Sequence, residues 1–178
     1  MKSIIIIFST IAVLLTACNV KEQSNKDVLI NEITTLNESL IDTVNFYLNI
    51  DTAKVLITKY ENFIKEYEND SLTPIYLLKV ADLSISTKEY NKAISFYETV
   101  YNKYSDYKKA PQALFLQAMI YADFLKNESA AKIKYKEFID KYPNHELTDD
   151  AKKSIEFIGK TPAEILEIIQ SKDSLSIN

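Results

Sequence analysis

The chain has 178 residues, 47% hydrophobic and 26% charged, with one glycine and four prolines, a composition poor in turn formers and rich in residues that sit well in helices. All 21 basic residues are lysine and the net charge is −4, so there is neither a basic surplus nor the guanidinium forks that grip phosphates in pairs; a nucleic-acid partner is disfavoured. Once an N-terminal leader is set aside, the remainder has the length of one domain able to bury its own core.

Lys2 is followed by an uncharged, mostly apolar run from Ile4 to Leu15. As a helix this run would reach about 18 Å, against a hydrocarbon core of about 30 Å, so residues 1–17 read as a signal peptide rather than a membrane span. Leu15, Thr16, Ala17 and Cys18 come next, and they resemble the lipobox of bacterial lipoproteins. The resemblance implies cleavage after Ala17 and a lipidated Cys18 carrying a diacylglycerol thioether and a palmitate-type acyl chain. It also implies an envelope protein anchored to a membrane, the outer membrane above all, with either face open. Two or more chains anchor durably where one holds only marginally. Lipidation would also account for a single thiol in an oxidising compartment. Residues 18–27 read as a polar tether; within it Lys21 and Glu22 resemble the export signals of Bacteroidota surface lipoproteins.

Residues 28–48 read as an N-terminal helix and the first half of a degenerate repeat, with Leu29, Ile33, Leu36 and Leu40 spaced as a helix-packing seam. A helix docked on the rest of the chain is favoured over a coiled-coil dimer. Residues 49–70 read as the second helix of that repeat. Internal similarity then becomes explicit. Tyr60, Phe63 and Tyr67 recur as Tyr97, Val100 and Tyr104 after a shift of 37, and as Tyr135, Phe138 and Tyr142 after a further 38. Leu56, Ala93 and Ala131 precede these triplets by one helical turn. Leu77 and Ala81 recur as Leu114 and Ala118, each pair preceded by Pro74 or Pro111 in first-turn position. The spacing predicts helix pairs over 73–107 and 110–145. Residues 147–170 read as two capping helices, with Gly159 as a stop and Thr161, Pro162 and Glu164 as a start; 171–178 read as a disordered tail.

These repeats resemble the tetratricopeptide repeat (TPR). Leu77, Val80 and Ala81 through Ala93, Tyr97 and Val100 match one unit. Leu114, Ala118 and Tyr121 through Ala131, Tyr135, Phe138 and Pro143 match the next, and Leu40, Val44 and Tyr47 through Leu56, Tyr60 and Phe63 form a degenerate first unit. The observed steps exceed the family's period of about 34 residues, which predicts longer turns between units. The resemblance implies an all-α, TPR-like α-solenoid of stacked antiparallel helix pairs, seven to eight helices in all. It also implies a concave protein-binding groove lined by Leu78, Asp82, Ile85, Phe115, Met119 and Asp123, suited to a short peptide or helix with apolar anchors. Tyr60, Tyr97 and Tyr135 are expected in the core rather than against a ligand.

No catalytic constellation is present. His145, the only histidine, falls in an inter-helix turn and reads as a solvated loop residue; no metal site, cofactor or Gly-rich phosphate loop is expected. Asp149 and Asp150 fall at a helix start, where they favour the dipole. Lipobox and repeats together resemble small TPR lipoproteins of Bacteroidota and, distantly, the TPR lipoprotein of the β-barrel assembly machinery. That implies a non-enzymatic scaffold or adaptor that binds a protein or peptide partner in the envelope, in outer-membrane protein assembly, as a monomer or within a hetero-complex. The alternatives are a structural spacer or envelope-maintenance protein whose groove is filled by its own N-terminal helix, and, least favoured, an enzyme.

Overall fold

The computed structural model describes residues 25–41 and 47–176, with side chains through 172. The calls on the leader, the lipobox and Cys18, and on Val44, lie outside the described residues. The chain is all-α, with eight α-helices and one π-helical turn among the described residues: α1 (25–38), α2 (Ile50–Glu66), α3 (Thr73–Ser86), α4 (Tyr90–Lys103), α5 (Ala110–Met119) with the π turn Ile120–Phe124, α6 (Glu128–Lys141), α7 (Thr148–Phe157) and α8 (Pro162–Ser176). The chain divides into two compact units, one ending at Thr87 and the other beginning at Lys88. The division falls inside the stretch 73–107 that the sequence marks as one repeat.

In the first unit, α2 packs on α3. Their shared core contains Ala53, Leu56, Tyr60 and Phe63 from α2 and Leu77, Val80 and Ala81 from α3. Tyr60 and Phe63 lie 4.7 and 4.8 Å from the Tyr76 ring. The small residues let the backbones approach while the aromatics fill the space between them. Helix α1 buries Ile33, and its Asn37 accepts a hydrogen bond from the Tyr60 hydroxyl at 3.0 Å.

Two differences from the sequence reading concern α1. It already includes residues 25–27, ahead of the expected start at 28, because nothing in Asn25–Asp27 breaks a helix and Lys26 forms an ion pair with Asp70. It also ends at 38, where the Ser39 hydroxyl donates to the Leu36 carbonyl at 3.0 Å and the Leu40 N–H to the Asn37 carbonyl at 3.3 Å. Ile41 then pairs with Leu48 in a single β-bridge. Leu40 and Tyr47 themselves therefore lie outside any helix, and α1 is the described helix that precedes α2.

In the second unit each helix from α4 to α7 packs on its sequence neighbour. Tyr101, Leu114, Ala118, Tyr135, Phe138 and Ala151 form one buried cluster. Asn49 and Asn127 cap α2 and α6, accepting from the Thr52 and Ala130 N–H groups at 3.0 and 3.1 Å. Thr161 and Glu164 exchange the reciprocal bonds of a capping box, 2.7 Å from the Thr161 N–H and 3.3 Å from the Glu164 N–H. Helix α8 runs to Ser176, so residues 171–176, expected as tail, continue the helix; Ser171 and Lys172 offer no stop signal. Leu166 and Ile169 on α8 remain 55% and 44% exposed, so the two expected capping helices do not complete an apolar seal.

The turns explain the long period. Each link from a second helix to the next first helix has six residues, 67–72, 104–109 and 142–147, closed by the same pair of backbone bonds. Tyr67, Tyr104 and Tyr142 carbonyls accept from the N–H three residues on, at 2.9, 2.9 and 3.1 Å. In two of these turns the Thr73 or Thr148 hydroxyl also donates to the Tyr67 or Tyr142 carbonyl at 2.6 Å. His145 belongs to such a turn. Rather than being solvated, it lies edge-on to Phe138 with centroids 5.4 Å apart, and its Nδ1 accepts from the Leu147 N–H at 3.1 Å.

On α6, Glu137 accepts a hydrogen bond from Tyr101 at 2.9 Å and lies 3.4 and 3.3 Å from Lys134 and Lys141. Partial burial acts to raise the Glu137 carboxyl, but the Tyr101 bond and the two lysines outweigh it and hold the group below its usual range. A carboxylate lowered in the folded state stabilises it above the unfolded pKa of about 4.3, and that contribution is lost as pH falls through the folded value. The Tyr101→Phe variant should therefore show a smaller drop in melting temperature than the parent between about pH 6 and about pH 3. Equal slopes would show that Tyr101 does not hold Glu137.

Candidate functional site

The six residues expected to line a groove divide between the units. Leu78, Asp82 and Ile85 lie on α3 in the first unit, with Leu78 and Ile85 half-buried and Asp82 exposed. Phe115, Met119 and Asp123 lie on α5 and its π turn in the second. Those three converge on a cleft of about 630 Å³, whose lining does not include the α3 residues.

Three stretches of the second unit build this cleft. Helix α5 and the π turn supply Phe115, Met119, Ala122 and Asp123, with Lys126 just beyond. Helix α6 supplies Glu128 and Tyr135. Helix α7 and its link to α8 supply Ser154, Phe157, Ile158, Gly159 and Lys160, and α8 adds Ile165. Phe115 is held by edge contacts to Tyr135 and Phe138, with centroids 5.3 and 5.6 Å apart. Tyr135 is buried, as expected of a core tyrosine, and burial pushes its phenol up while a hydrogen bond with Ser154 opposes the shift. It nevertheless also reaches the cleft. The lining thus mixes apolar side chains with two acidic and two basic groups, Asp123 and Glu128 with Lys126 and Lys160. Such a surface suits a segment with large apolar side chains and polar flanks.

Gly159 sets one wall. Its φ of +84° lies in the left-handed region, and a Cβ there would come 2.6 Å from the Glu128 carboxylate. Gly159→Ala should therefore destabilise the unit by about 1–2 kcal/mol through backbone strain alone, read by thermal melting; an unchanged melting temperature would show that the link relaxes without penalty. Lys88 and Lys126, at φ of +64° and +53°, end the two preceding first helices in the same backbone region.

Sequence reasoning missed Ala122, Lys126, Glu128, Tyr135, Ser154, Phe157, Ile158, Gly159, Lys160 and Ile165 as cleft residues. Phe157, Ile158 and Ile165 were visible only as apolar positions on capping helices. Among the described residues there is no cluster of His, Cys, Asp or Glu that could hold a metal ion, and no helix is long and apolar enough to cross a membrane.

No curated protein matches the chain in sequence. Residues 112–145 match the family model of the tetratricopeptide repeat, a stretch that runs from α5 through the π turn and α6 and includes Phe115, Met119, Asp123, Glu128 and Tyr135. The match and the helix-pair architecture support a TPR-like protein-interaction scaffold, with the matched repeat supplying two of the cleft's three walls.

Proposed function

We infer that the chain is a non-enzymatic adaptor, tethered to a membrane of the cell envelope by lipid on Cys18, which binds a partner polypeptide through the cleft of its second unit. The observation that carries the reading is the cleft itself, which sets aromatic and aliphatic side chains beside charged ones and is built largely from the stretch that matches a repeat whose general role is protein binding. The lipobox-like Leu15–Cys18 supports the anchor, and the polar residues between Cys18 and α1 would keep the adaptor close to the membrane surface. A role in outer-membrane protein assembly is the process this combination favours.

A photo-crosslinking residue in place of Met119 should capture a specific partner in native envelopes, whereas one in place of exposed Ile133 should not. Capture at Met119 should be lost when Phe157 is also changed to Glu while the fold is retained. Identical capture at both positions would defeat the cleft as the binding site. Cys18→Ala should shift the protein from the membrane fraction to the soluble fraction; unaltered membrane association would defeat the lipid anchor.

A further inference from the structure

The only histidine closes the turn that leads into α7. The His145 Nδ1 accepts a hydrogen bond from the Leu147 N–H at 3.1 Å, while its own N–H donates to the Tyr142 carbonyl at 3.1 Å and its carbonyl accepts from the Thr148 N–H at 2.9 Å. The turn before α3 is built in the same way, with Asp70 in the corresponding place. There the carboxylate accepts from the Leu72 N–H at 2.8 Å, and the same two backbone bonds, to Tyr67 and from Thr73, measure 2.9 and 3.0 Å. The link before α5, with Tyr107 at this position, closes with those backbone bonds at 2.9 and 2.7 Å, so the side-chain bond tightens the turn rather than makes it. The two acceptors differ in one respect. A carboxylate accepts at any pH above the carboxylate range, whereas an imidazole accepts through Nδ1 only while that nitrogen carries no proton.

Protonation therefore sets two donors against each other, Nδ1–H and the Leu147 N–H. It also places a cation just ahead of α7, at the end of a helix that disfavours positive charge. The neighbouring charges are engaged elsewhere or exposed. On α7, Asp149 and Asp150 pair with Lys152 and Lys153 at 3.0 and 4.0 Å; on α6, Lys141 pairs with Glu137 at 3.3 Å; Asp140 and Glu146 are exposed, and α5 has no titratable side chain. Phe138 and Tyr142 meet the imidazole with centroids 5.4 and 6.5 Å away. We propose that His145 is an acid-sensitive latch on α7: the neutral imidazole holds the start of that helix against the second unit, and its protonation releases it. Leu147, which packs against the buried cluster containing Ala151, and the Thr148 hydroxyl, bonded to the Tyr142 carbonyl at 2.6 Å, are the contacts that loosen first.

Amide exchange of the full chain in detergent micelles tests the latch, with rates corrected for the intrinsic pH dependence of exchange and read as opening constants. The open corner takes up a proton that the closed corner excludes, so closure is firm above the histidine range, about 6.5 in an unfolded chain, and weakens as pH falls through it. The amides of Leu147, Thr148 and Ala151 should open about tenfold more at about pH 5.5 than at about pH 7.5, while those of α5 change little. Carboxylates and phenols ordinarily titrate outside these limits. His145→Asp, which places the acceptor of Asp70 at this position, should keep the three amides protected and their opening flat across the range; His145→Asn, a neutral acceptor, should do the same. Parental amides that open equally at both pH values overturn the inference, as does opening that extends equally through α5. A variant that keeps the parental pH response overturns it too. Failure of both variants to fold also overturns it, since a bond that only tightens the turn cannot be essential to the unit.

Discussion

Phe138→Ala is expected to unfold the second unit at ordinary temperature or bring it close to that point. The side chain is fully buried on α6. Its ring meets Phe115 at 5.6 Å, Tyr142 at 5.6 Å and His145 at 5.4 Å, so one residue joins α5, α6 and the turn that leads into α7. Truncating a buried phenylalanine costs about 3–5 kcal/mol, from lost transfer energy and the cavity left behind. A domain's whole stability is about 5–15 kcal/mol, so the loss is a large share of it. The expected consequence reaches the candidate site, because Phe115 loses one of its two ring partners and the cleft floor loses its support. Guanidinium melts of Phe138→Ala and Phe138→Leu separate the terms: leucine retains most of the volume and should recover more than half of the lost stability. Equal stability of alanine variant and parent would mean that the cluster around Phe138 does not hold the unit together.

The core was legible because it repeats. Tyr60, Tyr97 and Tyr135 stand at one helical position in successive units, and Leu56, Ala93 and Ala131 at another, and all six are buried. A residue buried between two helices must be matched in every unit that uses the same packing, so periodicity reports burial directly. The ends of the chain lack that redundancy. Leu29, Ile33 and Leu36 could be joined to Leu40, Val44 and Tyr47 as one long helical stretch; the turn made by Ser39 and Leu40 depends on a hydroxyl-to-carbonyl bond that apolar spacing does not encode. The π turn is an intermediate case. The change of period between Ala118 and Ala131 announces an insertion, but a longer loop would give the same count. Little of the cleft lining was legible: Phe115, Met119 and Asp123 are residues the repeat resemblance names, whereas Phe157, Ile158, Gly159 and Lys160 join them only through the path of the chain after α7.

Tyr60→Ala should do to the first unit what Phe138→Ala does to the second, with an additional effect on α1. The Tyr60 ring fills the space between α2 and α3 against Tyr76, and its hydroxyl reaches out to Asn37 on α1. Further polar ties of α1 include the ion pair of Lys26 with Asp70 and that of Glu32 with Lys59 at 2.6 Å. Partly exposed pairs of this kind contribute about 0–1 kcal/mol, so α1 depends chiefly on Ile33 and on the Tyr60 contact. Tyr60→Phe removes only the hydroxyl and should lower stability by about 0.5–1.5 kcal/mol. Hydrogen exchange should then show amides of residues 25–38 opening well before those of α2 and α3. Tyr60→Ala should cost about 3–5 kcal/mol and expose all three helices together. If α1 keeps full protection in Tyr60→Phe, its other contacts, Ile33 among them, secure it without the hydroxyl. The order of opening bears on the proposed anchor, because the described part of α1 is the first described stretch after Cys18 in the sequence. If lipid on Cys18 anchors the chain as proposed, releasing α1 would add residues 25–38 to the tether and let the two units work farther from the membrane.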